Sequence, residues 1–289
     1  MPRSGNVRGA LWLLLAAMSF SAMSALIKLL GAEIHSLEIA FFRSLFGLLI
    51  LSPFLARRNF GMLSTRRVGL HLARVGFGIV TMMATFHALT HMQLASATAI
   101  FFTSSLFMIP MALVFLGEGV AWSRWLATLA GFGGVLMILR PGPEGLSTAA
   151  VAALIAALSG AVVLTTVKKL SDTERPVTVM LWFAVAAVPV SLGPALAVWT
   201  TPTTGQYVLL LVMGALGTFG QYFTIRAYRV GEATVVTPFN YFQLLFSGCV
   251  GFVMFSEIPD AWTWAGAAVI IGSNLFVLGL KKRPRLEGS

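Results

Sequence analysis

A chain of 289 residues that is 57% hydrophobic and only 10% charged, with a mean hydropathy of +0.87, cannot solvate a globular surface; soluble domains carry about 25% charged residues. The net charge of +10 does not point to nucleic acid, because the basic residues fall between apolar runs and not on one face of a soluble module. A single cysteine, Cys249, excludes an intrachain disulfide. What remains is an all-α integral membrane protein.

A helix needs about 20 apolar residues to cross about 30 Å of hydrocarbon. In chain order the candidate spans are 10–30, 37–55, 70–90, 94–116, 122–139, 148–167, 177–199, 207–228, 233–255 and 262–280. The first follows Arg3 and Arg8 as a signal peptide would. With no convincing cleavage site and nine runs behind it, it is read as an uncleaved helix. Lys28, two residues from the end of span 1, is expected to snorkel to the headgroups or to add to an electropositive vestibule. Span 2 contains Arg43, six residues past Leu37 and so about 9 Å inside the helix. A guanidinium at the bilayer centre costs at least about 2.5–3.5 kcal/mol. It is assigned to a central cavity, where it would meet an anionic substrate group such as a carboxylate, in preference to the alternative of snorkelling to the outer headgroups, which lie near the limit of a guanidinium's reach. Glu38 is not its partner along the helix, since a spacing of five turns the two side chains about 140° apart. Ser36 as N-cap and Glu38 in the first turn complement the helix dipole instead.

Span 3 carries Arg74 near its start, a headgroup anchor or inner-mouth residue, and His87, which could hydrogen-bond a substrate or relay protons. Pro110 in span 4 and Pro238 in span 9 each remove a backbone donor, freeing the carbonyls of Leu106 and Thr234. Glycines at 131, 133 and 134 in span 5, and at 266 and 272 in span 10, permit close helix approach, either within the bundle or in a homodimer. Tyr222 in span 8, and Asn240, Tyr241 and Gln243 in span 9, supply polar groups that lipid would not leave unsatisfied; the phenol rings could also face a cation. No Asp or Glu lies near the centre of any span. Facilitated diffusion or exchange is therefore expected, with any pH dependence assigned to His87.

Charge orients the bundle. With the N-terminus in the cytoplasm, the inner side collects Arg57, Arg58, Arg66, Arg67, Arg124, Lys168, Lys169, Arg175, Arg226, Arg229 and the "KKRPR" tail, and the outer loops hold Arg140 alone. Both termini are expected inside. The chain also resembles itself at an offset of 139 residues: Ala88/Ala227, Thr98/Thr237, Leu106/Leu245, Glu118/Glu257, Trp125/Trp264, Gly133/Gly272 and Leu136/Leu275 coincide. Five helices per half, an odd number, puts the second half into the membrane upside down. The expected architecture is ten transmembrane helices as two inverted repeats, 1–140 and 141–289, around a central cavity. Glu118 and Glu257 then hold equivalent positions, either as solvated loop charges or in helix-end hydrogen bonds.

The segments "FFRSLFGLLILSPF", "FLGEGVAWSRWLATLAGFGGVLMILRP" and "MFSEIPDAWTWAGAAVIIGSNLFVL" resemble the drug/metabolite transporter superfamily, in particular its ten-helix EamA-type members. "HSLEIAFFR", "LHLARVGFG" and "EATVVTPFNYFQLLFSGCVGFVMFSEIPD" are similar to S-adenosylmethionine uptake carriers within it. Those carriers tend to have an acidic residue in place of Gln243 and a phenol in place of His87. The resemblance implies a multi-pass protein of the cell (inner) membrane whose spans 1–4 and 6–9 wall the cavity. Spans 5 and 10 would lie at the periphery and could support a homodimer. The implied activity is alternating-access transport of small organic metabolites, foremost amino acids or their derivatives, with S-adenosylmethionine as the alternative. An integral-membrane enzyme is disfavoured, since the chain has no H-E-x-x-H, no G-x-S-x-G and no metal-spaced cysteines. A primary pump is excluded within this chain by the missing G-x-x-x-x-G-K-[ST]. No cofactor or metal is expected.

Overall fold

The computed structural model describes residues 3–56, 64–104, 106–107, 122–140, 146–171, 173–231 and 237–280. Among these are ten α-helices: α1 (Arg3–Leu30), α2 (Ser36–Ala56), α3 (Val68–His91), α4 (Leu94–Phe101), α5 (Trp122–Leu139), α6 (Thr148–Ser171), α7 (Pro176–Leu196), α8 (Thr204–Val230), α9 (Phe242–Phe255) and α10 (Ala261–Leu280). Six of them, α1–α3 and α6–α8, are each long and apolar enough to cross a membrane. Helices are the form such runs take because every interior N–H and C=O is satisfied within the segment.

Eight of the ten expected spans match a helix to within a few residues. Of the fourth only 94–104 and 106–107, and of the ninth only 237–255, are among the described residues, and each is interrupted there. α4 stops at Phe101, and the Phe102 and Thr103 amides bond to Ala99 O and Ile100 O in the tighter i−3 pattern. α9 is preceded by a 3-10 turn, Thr237–Tyr241, which contains Pro238. Pro110 and Glu118 lie outside the described residues.

Helix ends carry local chemistry that aims side chains. Thr203 and Gln206 form a reciprocal capping box at α8. α9 ends with Ser256 in the left-handed conformation (φ 53°), which turns the Glu257 amide back onto Gly251 O at 3.1 Å. α2 starts at Ser36 without Ser36 as its cap; the Leu37 amide donates to His35 Nδ1 at 3.3 Å.

The turns fall into two sets. At one end, here the far end, the 31–35, 92–93, 200–203 and 256–260 turns are linked by side chains. At the other, the near end, Thr65 donates to Glu174 at 2.6 Å, Arg67 donates to Lys169 O at 3.0 Å, and Gly5 lies against Val230. Successive helices thus cross in alternate directions.

Helix pairing follows the sequence repeat. α1 packs on α8 and α3 on α6, while α2 packs on α7, α4 on α9 and α5 on α10. A shift of 139 residues carries α1 onto α6 and α3 onto α8, so it interchanges the first two pairings. The α2–α7 and α5–α10 pairings join equivalent helices to each other, whereas α4 shifts onto 233–240, just ahead of α9. Phe102 and Tyr241, themselves 139 apart, meet edge-on at 5.0 Å. In the α5–α10 contact the backbones of Gly134 and Gly266 close up until a Cβ on either would fall 2.7 or 2.5 Å from the other's carbonyl oxygen. Gly133 and Gly272 have nothing within that reach and face outward.

Candidate functional site: two guanidiniums on one ring

α2 and α3 deliver Arg43 and Arg74 from opposite ends of the bundle. Both converge on the Phe183 ring of α7, with the guanidinium carbon of Arg43 5.5 Å and that of Arg74 4.5 Å from its centroid. Phe183 lies about 10 Å into α7 from the near end. The Arg43 side chain therefore runs inward, away from the rim that a snorkelling arginine would seek. Arg74 is only 4% exposed, so it is neither a headgroup anchor nor a mouth residue.

Glycines make the room. A Cβ on Gly217 of α8 would sit 3.3 Å from Arg43 Nε, and one on Gly78 would sit 2.5 Å from Arg74 Nη1. Ring faces attract cations, which offsets part of the burial cost, but among the described residues no carboxylate is paired with either arginine. Among the described residues the ion pairs are Lys28–Glu257, His71–Glu174 and Arg140–Asp260. Arg74 Nε and Nη1 are buried without a hydrogen-bond partner.

The other predicted residues are distributed elsewhere. Lys28 does not snorkel: it is bonded to Glu257 Oε1 and donates to Met92 O at 2.5 Å, over the Phe255 ring. Glu257 Oε2 accepts the Leu94 amide at 2.9 Å. This clasp ties α1, the α3–α4 turn and the α9–α10 turn together at the far end, so Glu257 makes helix-end and ion-pair contacts in place of a solvated loop position. Glu38, fully buried, accepts from the Thr200 amide and hydroxyl, both at 3.0 Å. Its role is to bridge two turns in addition to complementing a dipole.

His87 is half-buried one turn from the end of α3, its ring 4.4 Å from that of exposed His91. Thirteen residues separate it from Arg74, about 20 Å along the helix, so it does not join the arginine centre. The fully buried histidine is His71, stacked on Trp182 at 4.9 Å and 4.0 Å from Glu174. Tyr222 is turned about 140° from Gly217 around α8 and is exposed, close to Arg226. It too faces away from Arg43. Asn240, Tyr241 and Gln243 form a third locality where α9 meets α1 and α4. There Ser21 Oγ donates to Gln243 O at 3.2 Å and lies 3.2 Å from Ser247 Oγ.

Sequence reasoning missed Phe183, because a phenylalanine in an apolar run carries no local signal. It also missed the Lys28–Glu257 pair, although the repeat had already singled out Glu257.

The profile of the EamA-like transporter family matches this chain twice, over residues 7–140 and 147–279. The S-adenosylmethionine uptake transporter of Rickettsia felis is 32% identical over 94% of this chain and 92% of its own length. The riboflavin transporter of Rhizobium johnstonii is 34% identical over 95% and 92%, and a pseudopaline exporter of Pseudomonas aeruginosa 31% identical over 95% and 97%. A solved crystal structure, 15% identical, superposes over the whole of both chains with a TM-score of 0.66, a likeness of fold alone.

Proposed function

Because the chain belongs to the EamA-like transporter family, we propose that it is a secondary, alternating-access carrier of carboxylate-bearing metabolites, foremost amino acids or their derivatives, with Arg43 gripping the carboxylate. The observation that carries this reading is a guanidinium held inside the bundle that is in no ion pair among the described residues. Burying an uncompensated charge is costly unless a ligand supplies the counter-charge. The two halves act as inverted repeats; the interchange of α1–α8 with α3–α6 under the 139-residue shift supports this. The excess of Lys and Arg in the near-end loops supports an inner-membrane protein with both termini in the cytoplasm. A homodimer through α5 and α10 would use Gly133 and Gly272, the pair that the intrachain contact leaves open.

S-adenosylmethionine is the second reading, favoured by relatives such as that of Rickettsia felis. The experiment is uptake and counterflow in proteoliposomes with labelled amino acids, riboflavin and S-adenosylmethionine. Saturable uptake of a carboxylate-bearing compound, lost in Arg43→Ala, supports the proposal. Covalent turnover of the compound, or uptake confined to uncharged compounds, overturns it.

A further inference from the structure

One arginine would suffice for one carboxylate, yet the centre holds two. Arg43 and Arg74 share the Phe183 ring, so their guanidinium carbons can be no further apart than their two ring distances together. Like charges this close in a water-poor interior repel, and a ring quadrupole cannot neutralise both. Among the described acids, Glu174 is engaged with Thr65 and His71, and Glu38 holds Thr200 through Oε2, while its Oε1 is buried without a hydrogen-bond partner. Two donors of Arg74 remain buried and unpartnered, and Gly78 and Gly217 hold open the space both guanidiniums occupy. Buried donors of a charged group left without acceptors are costly, and that cost is removed when an acceptor arrives.

We propose that Arg74 is the second anion-binding residue, and that the preferred substrate is an amino-acid-derived metabolite carrying two anionic groups, one for each guanidinium. The idea rests on the carrier reading above and sharpens it. A neutral side chain would leave Arg74 unpaired, and a cationic one, such as a sulfonium, would be repelled. Dicarboxylate and phosphomonoester substrates share this chemistry.

The test is ligand binding to the purified full-length protein, followed by intrinsic fluorescence or by the shift in thermal unfolding. Matched pairs isolate the second charge: glutamate against glutamine, aspartate against asparagine, and phosphoserine against serine. The expected result is at least tenfold tighter binding of the acidic member in one or more pairs. The first two pairs winning marks a dicarboxylate substrate; the third winning marks a phosphomonoester. Arg74→Gln should collapse that preference to within twofold while changing the affinity of the neutral member less than threefold. Arg74→Lys, which keeps the charge but loses the fork, should retain part of the preference and guards against misfolding of the first variant. Equal or tighter binding of the neutral members, tighter binding of cationic S-adenosylmethionine than of any acidic member, or an equal loss for both members in Arg74→Gln overturns the proposal. Failure of the carrier reading looks different: Arg43→Gln would then leave the binding of every carboxylate compound unchanged.

Discussion

The far end of the bundle and its centre treat positive charge in opposite ways. At the far end Lys28 meets Glu257 and Arg140 meets Asp260. At the centre Arg43 and Arg74 share an aromatic ring, and among the described residues neither is in an ion pair. The paired charges sit at helix ends and on turns, and link helices from opposite halves. The unpaired ones sit within α2 and α3, Arg74 buried and Arg43 partly so. Charge that has a built-in partner serves the scaffold; charge kept without one is available to a ligand.

That contrast fails first, if it fails, at Arg43. Arg43→Ala should abolish proteoliposome uptake while the detergent-solubilised protein stays monodisperse, and Arg43→Lys should recover only part, because an ammonium lacks the bidentate fork. A fully active Arg43→Ala would make the central charge as dispensable as a rim charge. Next comes the clasp. Glu257→Gln strands Lys28, which is 18% exposed, and weakens the Leu94 amide bond. A loss of order 2–3 kcal/mol is expected, discounted from the fully buried case for partial exposure and seen as a lower unfolding temperature. The reversal Lys28→Glu with Glu257→Lys should regain part of it.

A finer probe is space. Gly217→Ala brings a methyl to 2.8 Å from Met23 Sδ and 3.3 Å from Arg43 Nε; uptake should fall several-fold without unfolding, whereas Gly133→Ala, with open surroundings, should be silent. His87→Gln should change uptake by less than twofold at any pH between 6 and 8, since the residue lies by His91 and not by the arginines. The smallest effect belongs to Asp260→Asn. Both members of that pair are 47% exposed, and its loss should cost under about 1 kcal/mol in a melting experiment.

Arg43 stood out in the sequence because a guanidinium within an apolar run is costly enough to demand a reason, whereas Arg74, four residues into its span, reads as a headgroup anchor or inner-mouth residue and lies deeper than that. Eight of the ten spans were legible because hydrocarbon thickness fixes their length. Tyr222 and His87 show where the reading stopped. A polar residue in a span announces that it needs a partner, but which way it faces depends on helix rotation, and rotation is set by neighbours such as Gly217 that carry no polar mark. Lys28 and Glu257 lie 229 positions apart; composition sees two charges near two helix ends, and only the folded turns bring them to one point.

Phe102 and Tyr241 belong to different halves yet occupy one repeat position, and they touch. When two halves trade conformations, a contact between unlike positions is replaced by its counterpart, whereas a contact between equivalents is exchanged for itself. In the alternating-access carrier proposed above, the edge-on meeting of these rings would be a fulcrum, the part of a lever that stays in place while both arms swing. Tethering it, with cysteines at 102 and 241, should leave the swing intact; tethering 28 to 257 should stop it.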